Sequence, residues 1–119
     1  MISDDTESIM RGHEARNAEL VTQLKSRGVD LQGTRSIEHH FWSKTQRDAA
    51  LLAHELYRRG FLILVLAPAA PREGSEYTWN VEAGLKDSIE RTTSGEVARE
   101  LVSLAASFNS KYDGWGTAV

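Results

Sequence analysis

The sequence predicts an α+β fold: a ferredoxin-like (βαββαβ) sandwich with a four-stranded antiparallel sheet and an added N-terminal helix. Two segments alternate apolar and polar residues, as half-buried strands do. Two capping-box sequences open segments whose apolar residues recur at helical spacing. From Arg35 onward the order is strand, helix, strand, strand, helix, strand, which is typical of this class. The 119 residues fit a single domain, with the N-terminal helix in 1–28 and the core in 35–119.

The first predicted helix covers about Asp5–Arg27. It begins in an acidic turn and ends before Gly28, as helices commonly do. One face carries Ile9, His13, Leu20 and Leu24. Because an apolar stripe is unfavourable in water, we expect this helix to dock on the domain. A partner-binding helix is the alternative, and whether the helix covers the sheet stays open.

The first predicted strand, Arg35–Trp42, is followed by a helix over about Lys44–Arg59. Alternation along the strand places two sets of side chains on opposite faces. The apolar face carries Ile37, His39 and Phe41, and the other face carries Ser36, Glu38, His40 and Trp42. Ser43-Lys44-Thr45-Gln46 has the form of a capping box, which indicates the start of the helix.

Two further strands are predicted in the middle of the chain. Phe61–Leu66 is a continuous apolar run, and prolines and a glycine after it indicate a loop. Tyr77–Leu85 alternates, so its polar face carries Asn80 and Glu82 among others. This strand should therefore bury one face and leave the other accessible.

The last predicted helix starts at the capping box Thr93-Ser94-Gly95-Glu96 and runs to about Ser110. Asp113-Gly114 is interpreted as a turn with positive φ at the glycine, which reverses the chain into a short strand over Trp115–Val119. Right-handed crossovers place strands one and three in the centre of the sheet and strand four beside strand one. We therefore expect the Trp115 strand to pair with Ile37–Phe41.

Composition narrows the classes of function. The chain has 17 acidic residues, 14 lysines and arginines, a net charge of −3 and no cysteine. Disulfides, thiol nucleophiles and cysteine-ligated metals are thereby excluded. The longest apolar run, Phe61–Ala70, is too short to span a bilayer, and the start of the chain is unlike a signal peptide. We expect a cytoplasmic protein without membrane association.

The two adjacent histidines are the first candidates for chemistry. Neighbouring residues of a strand point to opposite faces, so His39 and His40 are poorly placed to bind one metal ion. His39 shares the face of Ile37 and Phe41, and we interpret it as a core histidine with a hydrogen-bond partner. No hydroxyl near the strands lies in an activating context. The sequence therefore predicts no catalytic residue, no metal and no cofactor.

The polar face of the predicted sheet is the candidate interaction surface. RNA-binding sheets of this architecture stack bases on aromatic residues surrounded by basic ones. Two glutamates on this face would instead repel phosphates, which argues against direct binding of nucleic acid. A protein partner with a basic segment suits the face better. The candidate residues are Glu38, His40, Trp42, Asn80 and Glu82.

Three motifs together resemble one family. They are Ser36-Ile37-Glu38-His39-His40-Phe41, Trp79-Asn80-Val81-Glu82-Ala83 and Tyr112-Asp113-Gly114-Trp115-Gly116-Thr117. In this order they resemble the RraB family, the regulators of ribonuclease E activity, from about Arg35 to the C-terminus. The leading helix is also shared. The motif residues, interpreted as mainly structural, are Ile37, Glu38, His39, His40, Asp113, Gly114, Trp115 and Gly116.

The resemblance implies a function without catalysis. Members of this family inhibit ribonuclease E by binding the protein rather than its RNA, and so modulate RNA decay. The better-known members continue into a strongly acidic tail, whereas this sequence ends at Val119. Two alternatives stay open: an interaction or immunity-like module of the same fold with another protein partner, and a ligand-binding domain with a groove beside Trp115.

Overall fold

The computed structural model describes residues 4–70 and 73–118. Its sheet has the order β2-β3-β1-β4, and every neighbouring pair of strands is antiparallel. This is the order that right-handed crossovers predict, so the ferredoxin-like class with an added N-terminal helix is confirmed. The elements are α1 (Asp4–Ser26), β1 (Arg35–Ser43), α2 (Gln46–Arg58), β2 (Leu62–Pro68), β3 (Trp79–Asp87), α3 (Ile89–Thr92), α4 (Gly95–Ala106) and β4 (Ser110–Gly116).

The two central strands have the predicted faces. On one face the pairs between β1 and β3 are Ile37 with Leu85, His39 with Ala83, and Phe41 with Val81. On the other face they are Glu38 with Gly84, His40 with Glu82, and Trp42 with Asn80. The first set is buried except for half-buried Leu85, and the second set is exposed or half-buried.

The core lies between the sheet and helices α2 and α4. Apolar side chains of both helices pack on the apolar residues of the central strands, at the four-residue spacing of an amphipathic helix. Removal of these side chains from water is the main stabilising contribution in a sheet-and-helix sandwich. The buried helical residues in this core are Ala49, Leu52, Ala53, Leu56, Ala98, Leu101, Val102, Leu104 and Ala105. We call the opposite side of the sheet, none of whose side chains belongs to this core, the open face.

Helix α1 docks on the helical side, beside α4 and β4, so the predicted docking is confirmed. The predicted stripe is only partly correct, because Ile9 is exposed and Met10, His13, Asn17 and Leu24 are the buried residues. Met10 enters the core beside Tyr112, and the His13 ring stacks on the Tyr112 ring with 5.0 Å between centroids. Farther along the helix, Asn17 Oδ1 accepts a 2.9 Å hydrogen bond from Trp115 Nε1. These contacts place α1 away from the open face.

The end of the chain differs from the prediction. A turn after α4 ends at Asn109, which has φ 50°, and β4 already begins at Ser110. Gly114 does have positive φ, 114°, but it lies in a β-bulge. The register shifts there, so that Tyr112 faces Phe41 and Gly114 faces His40. The predicted turn at Asp113-Gly114 is therefore wrong, because a positive-φ glycine fits a bulge as well as a turn.

The pairing of Trp115 with β1 is confirmed, since Trp115 faces His39. The short strand predicted for Trp115–Val119 is in fact the end of β4, which stops at Gly116. Position 119 lies outside the described residues. The motifs at the two ends of the core thus meet because β1 and β4 are neighbours in the sheet.

One predicted cap is also shifted. Ser43 is the last residue of β1, and its buried hydroxyl lies 2.7 Å from the hydroxyl of Ser110. Thr45 is the residue that caps α2, and its side chain accepts a hydrogen bond from the Asp48 backbone N–H. Ser43 and Thr45 each carry a hydroxyl that can cap a helix. Because Ser43 is paired in the sheet, Thr45 is the residue that caps α2.

The segment before α4 contains a short helix that was not predicted. Helix α3 has only four residues, Ile89–Thr92, and is capped by Ser88. A single turn carries no helical periodicity for sequence analysis to detect. Ser94 then caps α4, one residue after the Thr93 that the second capping box indicates. Strand β3 starts and ends two residues later than predicted, at Trp79 and Asp87.

Candidate functional site

The open face brings together the five candidate residues, which come from two distant segments. His40 lies opposite Glu82 and Trp42 lies opposite Asn80 on adjacent strands. Glu38 is the next residue of β1 on the same face. Alternation along a strand and register between strands are what place them side by side. The predicted set therefore forms one continuous surface.

A hydrogen bond links the two strands at the centre of the open face. His40 Nδ1 lies 3.2 Å from Glu82 Oε1, and both side chains are partly exposed. The contact fixes the direction of the Glu82 carboxylate, because one of its oxygens is held by a neighbouring ring. The Glu82 carboxylate therefore accepts hydrogen bonds from a fixed position and does not move freely.

Glu38 stands between two glycines. Gly84 of β3 pairs with it on one side, and Gly116 of β4 pairs with it on the other. Neither position carries a side chain, so a partner backbone can approach the exposed carboxylate closely. The absence of side chains on both sides makes Glu38 the most accessible acid of the five candidates. This arrangement depends on register, and the sequence analysis did not find it.

A groove of about 330 Å³ continues from Glu38 toward β2. Its walls include Leu62, Leu64 and Gly84, with Lys86 beside them. A Cβ at Gly84 would lie 3.2 Å from Leu64 Cδ1, so the glycine lets this leucine lean over β3. Apolar walls next to a carboxylate suit a long side chain with an apolar stem and a cationic end. The sequence signal that could have indicated the groove is Gly84 within an otherwise alternating strand.

The open face carries charges of both signs, with lysines at its two ends. Lys86 pairs with Ser36 at one end of β1, and Lys111 pairs with Trp42 at the other. The glutamates Glu38 and Glu82 occupy the middle. The surface is therefore acidic at its centre and basic at its edges, which the sequence analysis did not predict because it omitted both lysines. A partner would match it with cations near the centre and not across the whole face.

The motif residue His39 lies on the helical side of the sheet and is 1% exposed. Its Nδ1 lies 2.8 Å from the Tyr112 hydroxyl. Burial lowers the pKa of His39 to about 4, and the neighbouring His40 adds to this effect. Burial also raises the pKa of Tyr112. A buried imidazole with a neutral partner does not reach a substrate, so His39 supports the fold, in line with the interpretation of a core histidine.

Trp115 is half-buried between α1 and β1. It packs on a small cluster with Leu24, Ile37 and Ile89, and its Nε1 donates to Asn17 Oδ1 at 2.9 Å. A groove of about 240 Å³ lies beside it, with Leu20, Leu24 and Arg27 among its lining residues. The main role of the ring is to attach α1 to the end of β4.

Replacing Trp115 with alanine is expected to lower the free energy of unfolding by about 2 kcal/mol. The value lies below the roughly 3–5 kcal/mol of a fully buried aromatic residue because one part of the ring is already in water. Urea denaturation followed by circular dichroism measures it. Leu51→Ala, at a position of α2 that is 44% exposed, is the control and should cost less than about 1 kcal/mol. If Trp115→Ala is as stable as the wild type but no longer binds a protein partner, Trp115 is instead a contact residue.

Membrane spans and metal clusters are both missing from the described parts of the chain, 4–70 and 73–118. None of the helices there is both long and apolar enough to cross a membrane. In the same residues, no three histidines, aspartates or glutamates cluster closely enough to hold a metal ion.

Comparison with known proteins gives two matches. The family model described as RraB, regulator of ribonuclease activity B, matches residues 14–117. A relative named regulator of ribonuclease activity B, from Photobacterium profundum, is 27% identical over 101 residues. That alignment covers 83% of this chain and 75% of the relative. The span matched by the family model extends from the middle of α1 through β4, so it includes both faces of the sheet.

Proposed function

This chain belongs to the RraB family of regulators of ribonuclease activity, and on that premise we propose that it binds a ribonuclease through its open face. The observation that carries the proposal is the grouping of Glu38, His40, Trp42, Asn80 and Glu82 on a face outside the core. Polar and aromatic residues held on a rigid sheet are suited to recognition of a protein surface. The ribonuclease that the family resemblance implies is ribonuclease E.

The proposed mechanism is inhibition by contact between proteins. A ribonuclease binds RNA phosphates with basic segments. Such a segment would also be attracted to Glu38 and Glu82, and the groove toward β2 would take the apolar stem of a lysine or arginine. A segment held in this way is withdrawn from RNA, and cleavage falls. The protein acts through binding energy, without a catalytic step of its own.

The placement of the titratable groups supports a role without catalysis. His39 is buried and bonded to Tyr112, and His40 is bonded to Glu82. Neither contact joins a histidine to an accessible hydroxyl or thiol, the pairing that activates a nucleophile in covalent catalysis. The open face is thus better suited to binding than to chemistry.

Reversing one charge tests the surface. Glu38→Lys is expected to weaken binding of purified ribonuclease E about 10- to 100-fold at low salt, because attraction at the centre of the face becomes repulsion. The remaining affinity should depend less on salt than that of the wild type. Because Glu38 is exposed, its reversal should change the free energy of unfolding by only about 0.5 kcal/mol. Calorimetric titration and an RNA cleavage assay measure the loss of binding and of inhibition, and urea denaturation measures the stability.

Glu14→Lys is the matched control, since it makes the same change of charge at an exposed position of α1. It should bind ribonuclease E like the wild type. If Glu14→Lys weakens the binding of ribonuclease E and Glu38→Lys does not, the interface lies on α1. If both bind like the wild type, the open face is not the binding surface.

The second candidate is an interaction module that uses the open face for a different protein. The lysines at both ends, Lys86 and Lys111, favour it, because a mixed charge pattern selects a partner other than a uniformly basic segment. Affinity capture from a cell extract with the wild type and with Glu38→Lys distinguishes the candidates. Ribonuclease E should be captured by the wild type and reduced by the variant; another protein with that behaviour would favour the second candidate.

A further inference from the structure

We propose that two copies of this chain associate through the outer edge of β2, joining their sheets about a two-fold axis. In the described residues, β2 is the terminal strand of the sheet and pairs only with β3. Peptide groups on its other edge are therefore available to another strand, except where the register is irregular between Ile63 and Val65 and at Pro68, which has no N–H. This inference does not depend on the proposed function, because its test is the mass of the protein in solution and not the binding of a ribonuclease. The two surfaces nevertheless overlap, since Leu62 and Leu64 also line the groove beside Glu38.

The exposed large apolar side chains are concentrated at this edge. Leu62 is 65% exposed, and Leu64 and Leu66 are each 44% exposed. They account for three of the six large hydrophobic residues that are exposed in the described part of the chain. A concentration of such residues on one strand is the usual mark of an interface, whereas single scattered ones are ordinary.

Helix α2 extends the apolar edge into the helical layer. Arg59, just after α2, reaches Glu100 of α4 and also bonds Glu55, so this flank of the helix faces α4. Tyr57 lies two residues from both Glu55 and Arg59, about 200° around the helix. Its ring, 67% exposed, therefore points away from α4, toward the β2 side. We call Tyr57, Leu62, Leu64 and Leu66 the β2 edge patch.

The charge pattern favours a second copy as the occupant. No residue in Phe61–Ala70 is charged, although exposed edge strands commonly carry charges that prevent self-association. The strand itself offers no acid to a basic ribonuclease segment, and the carboxylate beside Leu62 and Leu64, that of Glu38, belongs to β1. Leu62 and Leu64 lie on the open side of β2 and Leu66 lies on the helical side, so a two-fold axis would match apolar residues on both sides of the sheet.

Strand β2 is long enough to pair with a second copy. The seven residues of β2 span about 23 Å at roughly 3.3 Å per residue, and Tyr57 extends the contact into the helical layer. A two-fold interface of standard size takes about 800 Å² from each copy, roughly a ninth of the accessible surface of 7318 Å². An axis perpendicular to the sheet would give eight continuous strands with both open faces on the same side.

The mass of the protein in solution tests the proposal. Sedimentation equilibrium of the wild type should give twice the chain mass of 13.2 kDa. Leu62→Lys and Leu66→Lys should each raise the dissociation constant at least about 100-fold, because each lysine enters the interface twice and meets like charge. Leu51→Lys is the matched control. Leu51 is 44% exposed like Leu66, but it lies one turn before Glu55, on the flank that faces α4.

A single-chain mass for the wild type at every concentration measured would overturn the proposal. So would a dimer that survives both lysine variants, or one that Leu51→Lys alone disrupts. Circular dichroism checks that the variants fold, and one folded lysine variant is sufficient for the test. If neither folds, amide hydrogen exchange of the wild type decides: protection of β2 amides should rise with protein concentration, and protection independent of concentration would reject the dimer.

Discussion

A valine at position 114 is expected to lower the free energy of unfolding by about 3 kcal/mol. Gly114 has φ 114°, and a β-branched residue adopts such an angle only with strain of roughly 1–3 kcal/mol. A Cβ there would also lie 2.8 Å from Arg16 Nη1, which donates a 2.8 Å hydrogen bond to the Asp113 carbonyl. The substitution therefore strains the bulge and displaces a contact between α1 and β4.

Urea denaturation of Gly114→Val against Gly116→Val measures this effect. Gly116 does not have positive φ, and a Cβ there would find its nearest neighbour, His40 Nε2, at 3.9 Å. Valine at 116 should thus cost less than about 1 kcal/mol, because strands accept β-branched residues. Equal losses in the two variants would show that the backbone at Gly114 is not what the substitution disturbs.

Sequence reasoning predicted the features of the fold that depend on local pattern. Alternation in Ile37–Phe41 and in Val81–Leu85 indicates which side chains are buried, and the handedness of crossovers orders the strands. The bulge at Gly114 could not be predicted, because a turn and a bulge make the same demand on a glycine. What separates them is the register against His40 and Phe41, which is a property of two distant segments.

The candidate site, like the fold, could be predicted only in part. The five residues of the open face follow from alternation and strand order, so their grouping was predictable. Their surroundings were not: the glycines on both sides of Glu38 depend on the register of β3 and β4. The position of α1 could not be predicted either, because an apolar stripe predicts that the helix docks but does not identify the surface on which it docks. Contacts such as that between Trp115 and Asn17 decide it.

Acidification from neutral pH to about pH 4 is expected to remove about 3 kcal/mol of stability through His39 alone. Burial lowers the pKa of this histidine from 6.5 to about 4 in the folded protein. Between these values the unfolded chain binds a proton that the folded chain does not, so protonation favours unfolding. The contribution is fully present above pH 6.5 and is lost as the pH falls to about 4. A difference of about 2.5 pKa units corresponds to about 3 kcal/mol.

His39→Gln isolates this contribution, because glutamine does not titrate and its amide can still bond to the Tyr112 hydroxyl. The pKa of buried His13 is also lowered, mainly by burial and by Arg16, but that histidine is present in both proteins. The difference in unfolding free energy between wild type and variant should therefore shrink by about 3 kcal/mol between neutral pH and about pH 4. Urea denaturation across this range measures it, and parallel profiles would place the acid sensitivity elsewhere. Unchanged binding of ribonuclease E by the folded variant at neutral pH would further show that His39 acts in the core and not at the binding surface.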